Sequence, residues 1–159
     1  MNNQDEPWRL LHRYWLSKHI DGRPPARGDI DPITEVPRIV ANMMLIDATG
    51  DGYVYRFVGT EVVSQTGQDM TGQNVGLSRK YAFVQTEWMA ALDFVRQNRQ
   101  PRLLTYRFAG QVDSRQLVLI LPLYAEPGSV FKILGGSFFN GYYPPGLQIE
   151  GVSVRDITG

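Results

Sequence analysis

The fold of this chain is decided by residues 53–72, which read YVYRFVGTEVVSQTGQDMTG. Its first part places the aromatic residues Tyr53, Tyr55 and Phe57 at every second position. Successive side chains of a β-strand point to opposite faces, so this alternation predicts a half-buried strand with its aromatic residues on one side.

A short helix is predicted directly after this strand. Gly59 breaks the alternation, and the hydroxyl of Thr60 is suited to accept a hydrogen bond from an unpaired amide at a helix start. Gly67 is placed to end the helix in a left-handed conformation, which glycine adopts at low cost. A strand leading through one glycine into a short helix ended by another is a unit that often walls a small-molecule pocket in sensory domains.

Composition excludes several classes of chemistry. The chain has 159 residues, of which 43% are hydrophobic and 20% charged, so one globular domain is expected. Sixteen basic residues balance sixteen acidic ones, and this balance favours neither nucleic acid nor an anionic membrane as partner. The absence of cysteine excludes disulfides, thiolate catalysis, thiolate metal sites and cysteinyl-linked chromophores.

The N-terminus carries no signal for export. Residues 1–15, MNNQDEPWRLLHRYW, lack the basic segment and apolar run of a signal peptide. No window reaches the roughly 18 consecutive apolar residues of a membrane span. A cytoplasmic protein is therefore expected.

Residues 5–19 are predicted to form an amphipathic helix, with Pro7 in the first turn. Trp8, Leu11 and Trp15 lie on one stripe of this helix. Two tryptophans on a terminal helix need a surface that buries them. Either the helix docks across the domain's own sheet, or it forms a dimer interface with these residues at its centre.

The order of predicted elements indicates an α+β fold. A helix (residues 1–22) precedes a domain (23–140) with two strands, short helices, a long helix over 81–98 and three further antiparallel strands. Residues 141–159 are expected to be a loose tail or a strand added to a sheet edge. The prediction is a five-stranded antiparallel sheet with helices on one face.

Several short segments give this layout a recognisable pattern. They are Tyr14-Trp15, residues 24–32 (PPARGDIDP), residues 55–60 (YRFVGT), Gly67, Thr71-Gly72 and residues 121–123 (LPL). Together they resemble a PAS domain, and more specifically the PAS_5 family, a group of mostly single-domain proteins from alphaproteobacteria. The resemblance covers about residues 10–139. It implies a sheet enclosing a small apolar cavity, and often a dimer formed through a helix before the first strand.

The resemblance also bears on cofactors. PAS domains that bind haem commonly use a histidine in the helical segment, whereas His12 and His19 both lie on the N-terminal helix and are expected to be solvated or capping groups. Haem is therefore disfavoured, and flavin photochemistry that needs a cysteine is disfavoured with it. No cofactor is identified, and Asp29 and Asp31, without further ligands, do not indicate a metal site.

The residues expected to line a ligand pocket come from three strand faces and from the elements that cover them. They are Met44, Tyr55, Phe57, Phe83, Trp88, Tyr106, Phe108, Leu119 and Leu121. The alternative for each of them is ordinary core packing.

Arg56 lies in the middle of the predicted strand, between two of the aromatic residues. A buried arginine needs a carboxylate partner, and Asp29, Asp31 and Glu61 are the candidates. We favour a structural ion pair over ligand recognition at this position.

The sequence favours a stand-alone, non-catalytic PAS-type sensor, in which a ligand or a protein partner changes the state of the N-terminal helix. The alternative is a purely structural interaction module with a fully packed core, which dimerises through Trp8 and Trp15. A small enzyme would require polar residues that converge in the cavity, and no catalytic constellation is visible in the sequence.

Overall fold

Six strands form one antiparallel sheet in the computed structural model. The structure describes residues 6–76, 82–140 and 149–157, and of residues 82–85 and 111–113 it describes the backbone alone. The strands are β1 (Met43–Thr49), β2 (Gly52–Val58), β3 (Arg102–Phe108), β4 (Gln111–Pro122), β5 (Lys132–Asn140) and β6 (Ile149–Asp156). Their order across the sheet is β2-β1-β5-β4-β3-β6. The α+β class is confirmed, but the sheet has six strands where five were expected.

The sixth strand comes from the C-terminal segment. β6 pairs with β3 from Arg102 opposite Asp156 to Phe108 opposite Ile149, and Arg102 also forms an ion pair with Asp156. Residues 149–156 therefore form a strand added to an edge of the sheet, which is the second of the two alternatives expected for this segment. Residues 141–148 lie outside the described part of the chain.

Helices cover both faces of the sheet, which corrects the expectation that they lie on one. They are α1 (Pro7–Ser17), α2 (Pro32–Glu35), α3 (Thr60–Thr66) and α4 (Ala82–Asn98). We call the face that packs with α3 and α4 the inner face, and the face that packs with α1 the outer face. Each face has its own buried apolar cluster, so the strands between them are buried on both sides.

Alternation along the central strands assigns side chains to the two faces. In β3, Leu104, Tyr106 and Phe108 belong to the inner cluster and Leu103 to the outer one, so Tyr106 and Phe108, both expected to line a pocket, share one face. Val118 lies opposite Leu104 in β4 and faces inward with it. Its neighbours along β4 therefore face outward.

β2 contains a β-bulge at Arg56. Tyr55 lies opposite Ile46 and Phe57 opposite Leu45, so that Arg56 has no partner of its own in β1. One extra residue reverses the alternation beyond it. Tyr55 therefore faces inward, whereas Phe57 shares the outer face with Leu45.

The turn between β2 and α3 depends on two glycines. A Cβ on Gly59 would lie 2.2 Å from the carbonyl oxygen of Ala41, so only glycine fits this close approach of two backbones. Gly59 itself occupies the N-cap position and Thr60 makes no capping hydrogen bond, so the predicted cap is wrong. Gly67 ends α3 with φ 76°, which confirms the predicted left-handed conformation.

α1 lies across β4 and β5 on the outer face. Pro7 is in its first turn, and its buried side chains follow at helical spacing: Trp8, Leu11, His12, Tyr14 and Trp15. The indole nitrogen of Trp15 donates a 2.9 Å hydrogen bond to the carbonyl oxygen of Pro122. The helix is thus an integral part of the domain core.

Candidate functional site

The inner face carries an aromatic cluster between the sheet and α4. Five of the predicted pocket residues lie in it: Met44, Tyr55, Trp88, Tyr106 and Phe108. They come from β1, β2, β3 and α4, so tertiary structure brings together residues that are far apart in the sequence. Apolar walls with a few polar groups are typical of small-molecule sites.

Two tyrosine hydroxyls lie within this cluster. The indole nitrogen of Trp88 donates a 3.1 Å hydrogen bond to the Tyr55 hydroxyl, while burial raises the pKa of Tyr55. Burial also raises the pKa of Tyr106, and the nearby Glu87 and Tyr55 add to the effect. Both phenols therefore stay protonated at neutral pH and can act as hydrogen-bond donors.

Glu87 adds a carboxyl group at the edge of the cluster. It precedes Trp88 and lies one helical turn before the buried Ala91, on the side of α4 that packs against the sheet. Its Oε2 atom is buried and accepts no hydrogen bond from any described residue. A buried acceptor without a donor is unusual in a folded protein, because more than about nine in ten such groups are paired.

A chain of hydrogen bonds crosses the same face next to Tyr106. Gln116, which lies opposite Tyr106 in the sheet, donates through Nε2 to the Ser137 hydroxyl over 2.7 Å. That hydroxyl donates to Oε1 of Gln65 on α3 over 2.9 Å. Polar groups from a helix and two strands therefore meet on the inner face.

Comparison with known protein families agrees with this architecture. The PAS_5 family model, described as a PAS domain, matches residues 3–137. The chain belongs to this family. No curated protein matches the sequence.

Membership gives this PAS domain a general role and no particular ligand. PAS domains are generally sensory or signalling modules without catalytic activity of their own, and they commonly bind ligands or proteins. No helix in the described ranges 6–76, 82–140 and 149–157 is long and apolar enough to cross a membrane.

The other predicted pocket residues do not join the inner cluster. Leu119 and Leu121 belong to the outer cluster, because Leu119 lies opposite Leu103 in the sheet. Phe57 lies on the outer face as well, because the bulge at Arg56 reverses its direction. The side chain of Phe83 lies outside the described part of the chain.

Phe57 borders a shallow groove on the outer face. The groove has a volume of about 140 Å³ and is lined mainly by apolar side chains, among them Ile30, Val40, Met43 and Leu45. It is partly open to solvent, since Phe57 is 37% exposed. It is separate from the inner cluster, on the opposite side of the sheet.

Arg56 forms a structural ion pair with a partner that sequence reasoning did not consider. Its Nε lies 2.9 Å from Oδ2 of Asp47, and Lys132 lies 2.8 Å from the other oxygen of that carboxylate. Burial alone would raise the pKa of Asp47, but hydrogen bonds from Lys132 and Arg56 outweigh it and hold this pKa below its usual value. The two bonds thus favour the ionised carboxylate.

Two of the three expected partners of Arg56 have other roles, and Arg56 pairs with Asp47 instead of any of the three. Asp29 accepts a hydrogen bond from the amide of Ala26 and forms an ion pair with Arg23. Asp31 caps α2 by accepting a bond from the amide of Thr34. Both serve local turns, so their proposed pairing with Arg56 is wrong.

The predicted interface residues are covered by the chain's own sheet. Trp8, Leu11 and Trp15 all lie in the outer cluster, and none is more than 5% exposed. This placement corresponds to the first alternative for α1, docking within the domain. A dimer interface centred on these side chains would require the helix to leave the sheet.

The two histidines of α1 also lie on the outer side. His12 is buried between Trp8 and Trp15, with ring centroids 6.4 and 6.0 Å away, which corrects the expectation of a solvated group. Its Nε2 atom is buried without a hydrogen-bond partner. His19 points Nδ1 at the carbonyl oxygen of Trp15 over 2.9 Å.

Sequence reasoning missed the polar part of the inner cluster. Glu87 is not among the predicted site residues, although its position four residues before Ala91 places it on the packing side of α4. Ser137 and Gln116 stand at inward positions of their strands, but polar residues at such positions mark a site only once the strand register is known.

Proposed function

We propose that this chain is a non-catalytic sensory PAS domain that binds a small ligand between the inner face of the sheet and α4. The observation that carries the proposal is the buried Oε2 atom of Glu87, which has no hydrogen-bond partner and lies near Tyr106. Leaving a buried polar atom unpaired costs about 1–3 kcal/mol. A bound molecule that donates a hydrogen bond would remove that cost.

Catalysis is a weaker explanation of the same polar groups. Ser137 donates its hydroxyl proton to an amide oxygen of Gln65, and an amide is not a base that could activate it. Among the described residues, no group of three or more His, Cys, Asp or Glu side chains is arranged to hold a metal ion. Binding accounts for the site without a reaction.

β5 supplies a short route from the inner face to α1. Ser137 belongs to the inner hydrogen-bond chain, and the preceding residue, Gly136, faces outward beneath Leu11. A Cβ on Gly136 would lie 2.6 Å from Cδ2 of Leu11, so strand and helix are in close contact there. We propose that a ligand-linked shift of β5 changes the docking of α1, which in turn acts on a protein partner.

The alternative, a dimerisation module with a filled core, loses the observation that suggested it. Trp8 and Trp15 were expected to form the working surface, and both are buried against β4 and β5. The rest of α1 offers mainly charged and polar side chains to solvent, such as Arg13 and Ser17. We therefore favour ligand sensing.

Two measurements test the ligand. Mass spectrometry of gently purified protein under native conditions is expected to show a retained compound, or a thermal-shift screen to find one that raises the melting temperature. The same compound should change the fluorescence of the wild type, and that change should be absent from a Trp88→Phe variant. If no compound is retained and none raises the melting temperature, ligand sensing is wrong.

The location of the compound provides the control. A Trp8→Phe variant places the same substitution on the outer face, so it should keep the ligand-dependent fluorescence change. Loss of the signal in Trp8→Phe and its retention in Trp88→Phe would place binding on the outer face and contradict the proposed site.

A further inference from the structure

We infer that the inner cluster selects a small organic cation, with an ammonium group that binds Glu87 and an organic body that packs against the aromatic rings. This inference rests on the proposed function and adds the chemical class of the ligand. It follows from three properties of the site: an unpaired carboxyl oxygen, buried aromatic residues in the adjoining cluster, and the absence of Glu87 from the ion pairs of the described residues.

The carboxyl oxygen lacks both hydrogen-bond donors and an ion-pair partner. Oε2 of Glu87 is buried and unpaired, and every ion pair formed within the described part of the chain involves other acidic residues. An ionised carboxylate in an apolar environment is costly unless a cation or several donors accompany it. A cationic ligand supplies the charge and the donor in one group.

The aromatic neighbours suit the same ligand. Trp88 and Tyr106 belong to the cluster at this edge, and Tyr55 joins it through its hydrogen bond with Trp88. The faces of such rings attract cations, and the effect increases when the site excludes water. An anionic ligand would meet repulsion from Glu87 and from the negative ring faces, so the site discriminates against it.

The phenols add a second contact point. The hydroxyl of Tyr106 makes no hydrogen bond to any described residue, and that of Tyr55 accepts one from Trp88 while keeping its own proton for donation. An acceptor oxygen or nitrogen on the organic body can receive these protons. The site therefore fits a molecule with an ammonium group and a short organic body that carries an acceptor.

Matched compounds test the charge preference with the full chain. We would titrate benzylamine, cyclohexylamine and n-butylamine, each against the alcohol and the carboxylate of the same skeleton, and follow melting temperature and intrinsic fluorescence. At least one amine is expected to bind about tenfold or more tightly than its alcohol, because hydrogen bonds to charged groups are stronger than neutral ones. Its carboxylate should not bind measurably.

Glu87→Gln is the decisive variant, because it keeps the shape of the side chain and removes the charge. The variant should bind the amine about tenfold or more weakly than the wild type does, which lowers the amine's affinity to that of the matched alcohol. The affinity for the alcohol itself should be the same in both proteins. Glu61→Gln is the matched control: Glu61 is exposed on α3, and its substitution should leave both affinities unchanged. Tyr106→Phe tests the site independently and should weaken an amine that carries an acceptor.

The outcomes separate this inference from the proposed function. Equal binding of amine and alcohol, or full amine affinity in Glu87→Gln, overturns the preference for a cation. Native mass spectrometry can instead find a neutral or anionic compound whose fluorescence change is absent from Trp88→Phe. In that case the inference of a cation is wrong, and the proposal of ligand sensing stands. If no compound of any charge binds, both fail.

Discussion

The two faces of the sheet are covered by helices that differ in the kind of polar atom they leave without a partner. On the outer face, α1 buries Trp8, Leu11 and Trp15, and the one indole that reaches the sheet donates to Pro122. On the inner face, α4 brings Glu87 against buried tyrosines and leaves its Oε2 without a donor. Two nitrogens of α1 are also buried without a partner, so the faces differ in the kind of atom: among the described residues, only the inner face leaves an acceptor oxygen that a bound donor would satisfy.

The largest expected effect is on the outer face. Trp15→Ala should lower the free energy of unfolding by about 3–5 kcal/mol, because it leaves a cavity and removes the bond to Pro122. Arg13→Ala on the exposed side of the same helix should change it by less than about 0.5 kcal/mol. Urea unfolding measures both. A Trp15→Ala protein of unchanged stability but lower molar mass in light scattering would instead make α1 a dimer interface.

Adjacent glycines in β5 compare the two faces directly. A Cβ on Gly136 would overlap Leu11 at 2.6 Å and the Phe138 ring at 2.7 Å, so Gly136→Ala should cost about 1–3 kcal/mol. A Cβ on Gly135 would approach only the flexible end of Met44 at 3.3 Å, so Gly135→Ala should cost less. Urea unfolding of the two variants decides; a larger loss for Gly135→Ala would mean that the inner face is the more tightly packed.

The pH dependence of stability tests His12, whose buried Nε2 atom has no described hydrogen-bond partner on the outer face. Burial, followed by the charges of Arg9 and His19, lowers the pKa of His12 below its usual value of about 6.5. Above pH 6.5 the imidazole is neutral in both states. As the pH falls from 6.5 through the lower folded pKa, the unfolded chain takes up the proton first, so the folded state loses stability.

Unfolding of wild type and His12→Gln at pH 8 and pH 5 measures this effect. The wild type should lose more stability than the variant, because protonation of His12 places a buried charge close to that of Arg9. Asp47 does not interfere, because its lowered pKa confines its loss of stability to more acidic solution. Equal losses in both proteins would show that His12 is not the titrating group.

The smallest expected effect is on the inner face. Glu87→Gln should leave the free energy of unfolding unchanged or raise it by up to about 1 kcal/mol, because an uncharged amide is less costly to bury than an unpaired carboxylate. Urea unfolding, with Glu61→Gln beside it, measures the change. A loss of more than about 2 kcal/mol would make Glu87 a structural residue and remove the contrast between the faces.

Local patterns were enough to predict much of the fold. The spacing of Tyr106 and Phe108 was enough to place both on one side of β3, and the left-handed conformation of Gly67 followed from its place after a short helix. These features depend on backbone preferences and on spacing within one element. They could therefore be recognised without knowledge of the rest of the chain.

The candidate site was predictable only in part, because its members depend on register between strands. Leu119 was expected beside Tyr106, but β4 pairs so that it faces the opposite way. The bulge at Arg56 turns Phe57 to the outer face. The pairing of β1 with β5 places Lys132 opposite Asp47, and the same carboxylate also forms an ion pair with Arg56. A shift of one residue reverses a whole strand face, and no local pattern records it.

Residues 53–72 by themselves determined a strand, a close turn at Gly59 and a short helix ended by Gly67, because these depend on periodicity and on the backbone freedom of glycine. Only the tertiary structure decided which side chains of that stretch face inward. Tyr55 reaches the inner cluster and Phe57 does not, since the bulge forms through pairing with β1. The contact between Tyr55 and Trp88 likewise exists only after α4 has packed on the sheet.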